Sequence, residues 1–505
     1  MARPTTLGEL RKAGYKPRLV KDELRDNLMA RLRAKQPVFE GIVGYDATVL
    51  PQVINAILSR HNIILLGLRG QAKTRILRAM VGLLDEFIPV VAGSEINDDP
   101  FAPISKHARA LVASKGDATP IEWLGRDARY NEKLATPDVS IADLIGDVDP
   151  IKAASRKLTF ADEEVIHFGI IPRTNRGIFA INELPDLQPR IQVGLLNILE
   201  EKDIQIRGFP VRIPLDIMLC FSANPEDYTN RGSIITPLKD RIESQVLTHY
   251  PISLDDAKAI TDQESWIKRG GPKVAMPQFI RDAIEQIAFE ARKSEFVDQG
   301  SGVSARMTIA IYENVLSNAE RRCLLTGQDH TTARVLDLQS AVPSMSGKLE
   351  LVYEGEQEGL QKVSTNLVGA AVRKTFERFF PGVYQPGKGA KAQGGGSGQR
   401  KQAASTAKAA PDSASGYKPI IDYFAVGRKL ELTDDLSDKD FATRLEGVPG
   451  LRELAQSHIK EARGDELAVA MEFVLEGLHQ SSLLAKEDLD RGILYCDMLG
   501  ALYES

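Results

Sequence analysis

The run Gly67-Leu-Arg-Gly-Gln-Ala-Lys-Thr74 holds the residue types that grip a polyphosphate. Backbone N–H groups of a tight glycine-containing loop converge on phosphate oxygens, and a helix starting at the loop's end adds positive potential. In that setting Lys73 is expected to reach the β- and γ-phosphates, and the Thr74 hydroxyl to ligate Mg²⁺. Gly67, Arg69, Gly70, Gln71, Ala72, Lys73 and Thr74 are therefore the candidate nucleotide-binding residues. The run departs from GxxxxGK[ST] at Ala72, where a last glycine is expected. Alanine fits there if the loop keeps a negative φ.

A phosphate loop of this kind works with carboxylates at the tip of a neighbouring strand. One holds the metal and the other orients or deprotonates the attacking water. Gly177-Ile-Phe-Ala-Ile-Asn182-Glu183 offers the strand and the glutamate. Glu183 is the candidate base. Asn182 stands at the usual Asp position, so it retains an oxygen for the metal shell but removes a full negative charge. Weaker Mg²⁺ affinity than a full acidic pair gives is expected. A third apolar run ends in Ser222-Ala-Asn224-Pro225, whose polar tip is placed to sense the γ-phosphate or the water.

These groups need rigid elements behind them. Ile63–Leu66, Gly177–Ile181 and Ile217–Ser222 are short apolar runs bounded by polar or turn residues, the pattern of buried parallel strands. Helical patterns lie between them, including Arg75–Phe87 after the phosphate loop and Leu195–Glu200. An α/β domain is the consequence, a parallel sheet with helices on both faces. The alternation around Gly208 in Ile204–Ile213 predicts a β-hairpin. From Ser253 to about Gly382 the pattern turns helical, with Pro277–Lys293, Val303–Leu325 and Thr365–Phe380 reading as helices of a lid subdomain.

The segment 385–416 contains no Val, Ile, Leu or aromatic residue and reads as a flexible linker. Lys388, Lys391, Arg400, Lys401 and Lys408 against Asp412 give it a net charge of +4. Beyond it, 417–505 reads as a small all-α module. Leu467, Met471, Val474, Leu475 and Leu478 recur at helical spacing, and Arg452–Ala462 and Lys486–Leu502 also read as helical. The expected divisions are thus 1–37, an N-terminal helical extension; 38–252, the α/β domain; 253–384, the lid; then linker and module.

The composition sets outer bounds. At 505 residues, 43% hydrophobic and 26% charged, the chain has material for several cores. A net charge of −5 does not advertise a nucleic-acid binder. Three distant cysteines and seven scattered histidines offer neither a disulfide framework nor metal-ligand spacing. No run approaches the ~20 apolar residues of a membrane helix, and the charged N-terminal residues lack a secretory h-region. A cytoplasmic protein is expected.

In order, the motifs resemble the AAA+ ATPase family, in the branch of the magnesium chelatase I subunit and MoxR-type ATPases. The set comprises Ile42-Val-Gly44, the phosphate loop with Ala before Lys, Pro137-Asp-Val-Ser140 and Asp143-Leu-Ile-Gly-Asp147. It continues with Thr174-Asn-Arg-Gly-Ile178 leading into Asn182-Glu183, Ser222-Ala-Asn-Pro-Glu226, Pro237-Leu-Lys-Asp-Arg241 and Val303-Ser-Ala-Arg306. The resemblance covers roughly 38–330. It implies ATP and Mg²⁺ as ligands, Lys73 and Thr74 as the Walker A pair and Asn182-Glu183 as the Walker B pair. It likewise implies Asn224 as sensor 1, Arg241 as an arginine finger with Arg231 in reserve, and Arg306 as sensor 2. A finger acting on a neighbour implies a ring, commonly a hexamer. The hairpin Ile204–Ile213 matches a pre-sensor-1 insertion with Arg207, Phe209 and Arg212 as contact residues, and Gly93–Phe168 matches an enlarged helix-2 insertion.

On this resemblance the leading expectation is an ATP-driven ring that remodels or activates a client protein, with a partner bearing a von Willebrand A-type domain. A second reading is a nucleotide-gated binding protein with little turnover, motivated by Asn182. A sigma-54-type activator is a third, but the sequence has no GAFTGA loop.

Overall fold

The computed structural model describes residues 3–157, 162–206, 212–224, 233–381, 416–489 and 491–498. The linker, apart from Gly416, falls outside these residues, as do Arg207, Phe209, Arg231 and positions 499–502 of the last expected helix. The chain divides into two compact units, Met1–Tyr250 and Pro251–Ser505.

The first unit is built on five parallel strands: Ile63–Leu66, Tyr130–Leu134, Gly177–Asn182, Ile217–Ala223 and Ser244–Leu247. Numbered by their order in the chain, they lie side by side as 5-1-4-3-2. Alternate residues feed two cores, as the strand period of two requires. Ile64, Phe179, Ile181, Leu219 and Phe221 face one side, against Ile191, Leu195 and Ile198. Ile63, Leu65, Ile178, Ala180, Met218 and Cys220 face the other, against Leu24, Leu28, Val53, Ile57, Ile76 and Leu77. Burial on both faces explains why Ile63–Leu66, Gly177–Asn182 and Ile217–Ala223 read as apolar runs rather than alternating ones.

The helix Val20–Arg33 belongs to this core. Its Glu23 accepts from both terminal nitrogens of Arg129, at 2.8 and 2.6 Å, and both side chains are almost wholly buried. A bidentate pair of this kind fixes direction as well as contact.

Three local readings change. The helix after the phosphate loop runs only Lys73–Ala79, followed by a 3-10 turn Met80–Leu83 that contains the poor helix former Gly82. Phe87 then opens a strand, Phe87–Val91, paired antiparallel with Ile121–Gly125. The stretch Gly93–Phe168 is also not one insertion, because it contains the sheet strand Tyr130–Leu134. Among the described residues that strand is paired on one side only, and it is polar (Tyr-Asn-Glu-Lys-Leu), so no apolar run marks it in the sequence. Beyond that strand lies a short antiparallel pair, Gly146–Val148 with Ile166–Phe168, enclosing the helix Pro150–Arg156. The expected hairpin is present in its described strands, where Ile204 faces Ile213.

The second unit contains the expected helices as Gln278–Ala291, Arg306–Leu325 and Leu360–Phe379. Residues 417–498 do not stand apart as a separate module. They share one hydrophobic core with those helices: Phe473, on the helix Asp465–Gln480, stacks on Phe279 at 4.7 Å and meets Phe376 edge-on at 5.6 Å. Gly477 lies against the Phe376 ring, where a Cβ would have no room. Buried charges bind the same surfaces. Asp438 accepts from Arg334 at 2.9 Å, and Glu472 accepts from the backbone N–H groups of Val335 and Leu336 at 2.7 and 2.9 Å.

The segment is helical as expected but is not all-α. Leu430–Thr433, Gly492–Cys496 and Ala485–Leu489 form an antiparallel sheet. The helix expected from Lys486 is a pair of strands, because Ile493 and Tyr495 turn inward while Leu494 between them is half-exposed.

Candidate functional site

The phosphate loop leaves the first strand at its carboxyl end, between the fourth and fifth strands. This is where open parallel sheets place ligands. Gly67 N–H donates to Ala223 O at 3.1 Å, and Thr248 N–H to Leu66 O at 2.8 Å, so both neighbours hold the loop's root. A Cβ on Gly67 would overlap the Thr248 hydroxyl and the Gln71 side chain, which accounts for glycine there.

The loop is held by side chains that motif reading did not single out. The Tyr45 hydroxyl lies 3.0 Å from Gln71 O and 2.6 Å from His249 O. Tyr250 donates to Arg69 O at 2.9 Å, and Thr248 to Gln71 Oε1 at 2.7 Å. Burial pushes the Tyr45 hydroxyl up to about 12, so it remains a neutral donor. The available signals were a tyrosine following Ile42-Val-Gly44 and a Thr-His-Tyr run at the end of the fifth strand.

The condition under which Ala72 would fit without strain, a negative φ, is not met. Its φ is +56° and ψ +16°, in the left-handed region, as is Gly70 at φ +75°. The position takes the conformation for which the motif uses glycine, and alanine adopts it at a cost of about 1–2 kcal/mol.

Three strand tips then converge. Lys73 is 7% exposed; its ammonium donates to Leu68 O at 3.0 Å, to Gly67 O, and to Asn224 Oδ1 at 2.5 Å. The Thr74 hydroxyl donates to Asn182 Oδ1 at 3.3 Å, and the Ser222 hydroxyl to the same oxygen at 3.0 Å. Glu183 follows in a left-handed conformation, φ +55°, which turns the chain off the strand. Its backbone N–H donates to Ser222 Oγ at 3.4 Å. Lys73, Thr74, Asn182, Glu183, Ser222 and Asn224 thus form one cluster. Its oxygen donors are hydroxyl, amide and carboxylate, without thiol or imidazole, the kind that hard cations take.

Of the two remaining arginines, one belongs to each unit. Arg241 ends the helix Thr236–Arg241; its guanidinium bonds Glu200, at 2.7 and 2.6 Å, and Pro237 O, not the phosphate loop. Arg306 opens the helix Arg306–Leu325 in the second unit, with an exposed side chain. Among the described residues no group of three or more His, Cys, Asp or Glu side chains could hold a metal ion, and no helix is long and apolar enough to cross a membrane.

A 5-1-4-3-2 parallel sheet, with a phosphate loop after strand 1, Asn-Glu after strand 3 and Asn after strand 4, defines an AAA+ P-loop fold. No family model matches the sequence. Curated relatives do: the magnesium-chelatase subunit ChlI of Nostoc sp. is 27% identical over 358 residues, spanning 68% of this chain and 89% of that protein. The ChlI of Synechocystis sp. is 26% identical over 360 residues, spanning 68% and 94%. These relatives, with the sheet order and the motifs at its strand ends, support an AAA+ ATPase of the magnesium-chelatase I type. Solved structures align more distantly. A complex of subunits BchI and BchD of magnesium chelatase gives a TM-score of 0.32 at 20% identity, covering 63% of this chain and 98% of that one. NtrX of Brucella abortus with ATP gives 0.34 at 14%, covering 58% and 53%. Neither likeness carries a function across.

Proposed function

We propose that the protein is a cytoplasmic, Mg²⁺-dependent ATP-binding and ATP-hydrolysing ring that remodels or activates a client protein. The observation that carries this reading is the cluster at the strand tips: a buried loop lysine, a loop hydroxyl, a strand-end Asn-Glu pair and a third strand-tip amide on one site. Lys73 and the loop N–H groups bind the polyphosphate, with Gly67, Arg69, Gly70, Gln71 and Ala72 shaping the cradle. Thr74 and Asn182 are the residues that would hold Mg²⁺, which when bound offsets phosphate charge. Glu183 takes the proton of the attacking water, and Asn224 orients that water or the γ-phosphate.

Arg241 is assigned to the neighbouring subunit's nucleotide, because its bonds to Glu200 and Pro237 hold it away from its own loop. Arg306 is assigned as the lid's contact to the γ-phosphate. A site completed by a neighbour needs a ring, and a hexamer of MoxR-like or chelatase-like form is the assembly we assign. A partner with a von Willebrand A-type domain fits the chelatase-type relationship.

The second reading, nucleotide-gated binding with little turnover, is favoured by one observation. The metal-facing position carries the neutral amide of Asn182. Phosphate release from ATP, measured against protein concentration, tests the proposal. The specific rate should rise as rings assemble. No release at any concentration would leave the gated binder; a rate independent of concentration would remove the trans-acting finger.

A further inference from the structure

An asparagine in place of the strand-end aspartate raises a problem that a carboxylate never meets. A carboxylate presents oxygen on both branches, whereas an amide presents oxygen on one and NH₂ on the other. With NH₂ turned toward Thr74, the site would offer a metal ion a donor hydrogen instead of a lone pair. Something has to choose the sense of the Asn182 amide.

The neighbouring strand supplies a residue that can. Ser222 lies on Ile217–Ala223, two residues before Asn224, and is 1% exposed. Its Oγ accepts from the backbone N–H of Glu183 at 3.4 Å. The hydroxyl proton, buried from water, needs an acceptor of its own, and it goes to Asn182 Oδ1 at 3.0 Å. The chain of donors therefore runs one way, from Glu183 N–H to Ser222 Oγ–H to the amide oxygen. That same oxygen faces the Thr74 hydroxyl at 3.3 Å. A flipped amide would leave the Ser222 proton without its acceptor and set NH₂ against Thr74.

We propose that Ser222 is the positioning residue that holds Asn182 in the oxygen-forward sense, so that an amide serves where an aspartate is expected. This rests on the proposed Mg²⁺–ATP reading of the site. Partners of this kind set the orientation of metal-holding groups and typically change metal affinity 10- to 100-fold when removed.

The test is a cycle between positions 182 and 222 in the full chain, read as affinity for a fluorescent ATP analogue with Mg²⁺ and with EDTA. In the parent, Ser222→Ala should weaken the Mg²⁺-dependent affinity about 10-fold and leave the EDTA value within about 2-fold. With Asn182→Asp the side chain has no wrong sense, so adding Ser222→Ala should cost less than about 3-fold. Equal losses in both backgrounds, or no loss in either, overturn the proposal. Should Ser222→Ala fail to fold, Ser222→Cys keeps the shape with a weaker donor and should give the same background dependence at smaller size. A parent that binds no nucleotide with Mg²⁺ would instead overturn the functional reading.

Discussion

The ammonium of Lys73 donates to the side-chain oxygen of Asn224 at 2.5 Å, joining the phosphate loop directly to the tip of the fourth strand. The pair links a group assigned to phosphate binding with one assigned to sensing, and the two roles separate in variants. Lys73→Ala should weaken nucleotide affinity about 10- to 100-fold, since it removes charge-assisted bonds. Asn224→Ala should change affinity less than about 3-fold but lower turnover about 100-fold, as loss of a transition-state contact does. Equilibrium binding and steady-state phosphate release on the same preparations check both.

Ala72 should respond to glycine with a gain. Its left-handed backbone, φ +56°, is unfavourable for any residue with a Cβ. Ala72→Gly should stabilise the first unit by about 1 kcal/mol, after the larger unfolded-state entropy of glycine is offset. Denaturant unfolding followed within that unit checks this. A loss of stability would mean that the loop is not strained at this position.

The C-terminal segment should prove inseparable from the lid helices. Arg334 is fully buried, and Asp438 is its only carboxylate partner among the described ion pairs. Asp438→Ala should destabilise the second unit by about 3–5 kcal/mol by leaving that guanidinium uncompensated. The isolated segment 417–505 should lack a cooperative unfolding transition, because Phe473 would lose Phe279 and Phe376, the rings it packs against. A sharp thermal transition in the isolated segment would contradict the shared core.

The second unit should also lose stability as pH rises from acid toward neutrality. Burial pushes the Glu285 carboxyl from 4.5 up to about 7, although Thr261 donates to it at 2.5 Å. Between those values the folded state binds the proton and the unfolded state does not, so stability falls with rising pH and levels off above about 7. Glu285→Gln should remove roughly 2 kcal/mol of that slope. Unfolding midpoints at pH 5 and pH 8 for parent and variant, or any such pair spanning the window, measure it.

The sheet was legible where burial left a mark on the sequence. Ile63–Leu66, Gly177–Ile181 and Ile217–Ser222 are covered on both faces, so they stand out as apolar runs, and the loop to Lys73, Asn182-Glu183 and Asn224 follow their carboxyl ends. Tyr130–Leu134 was not legible, because an edge strand with half-exposed side chains has no apolar signature. The sign of φ at Ala72 was not legible for a related reason: a backbone angle is set by the loop's closure, which residue type only permits. The fusion of 417–498 with the lid was hidden by the linker. A helix with an apolar stripe reads the same whether its partner lies nearby in sequence or more than a hundred residues away, as Phe279 does from Phe473. Ser222, Tyr45 and Tyr250 were missed because their roles arise from bonds between strand tips and loop carbonyls, which no motif spacing encodes.

Glu183 is proposed to activate water against a nucleotide held by Lys73 and Thr74. Glu183→Gln in the whole chain, with ATP binding and phosphate release measured side by side, tests this role. Binding should stay within about 3-fold of the parent, and release should fall at least about 100-fold. Release that continues at the parent's rate in Glu183→Gln would contradict it.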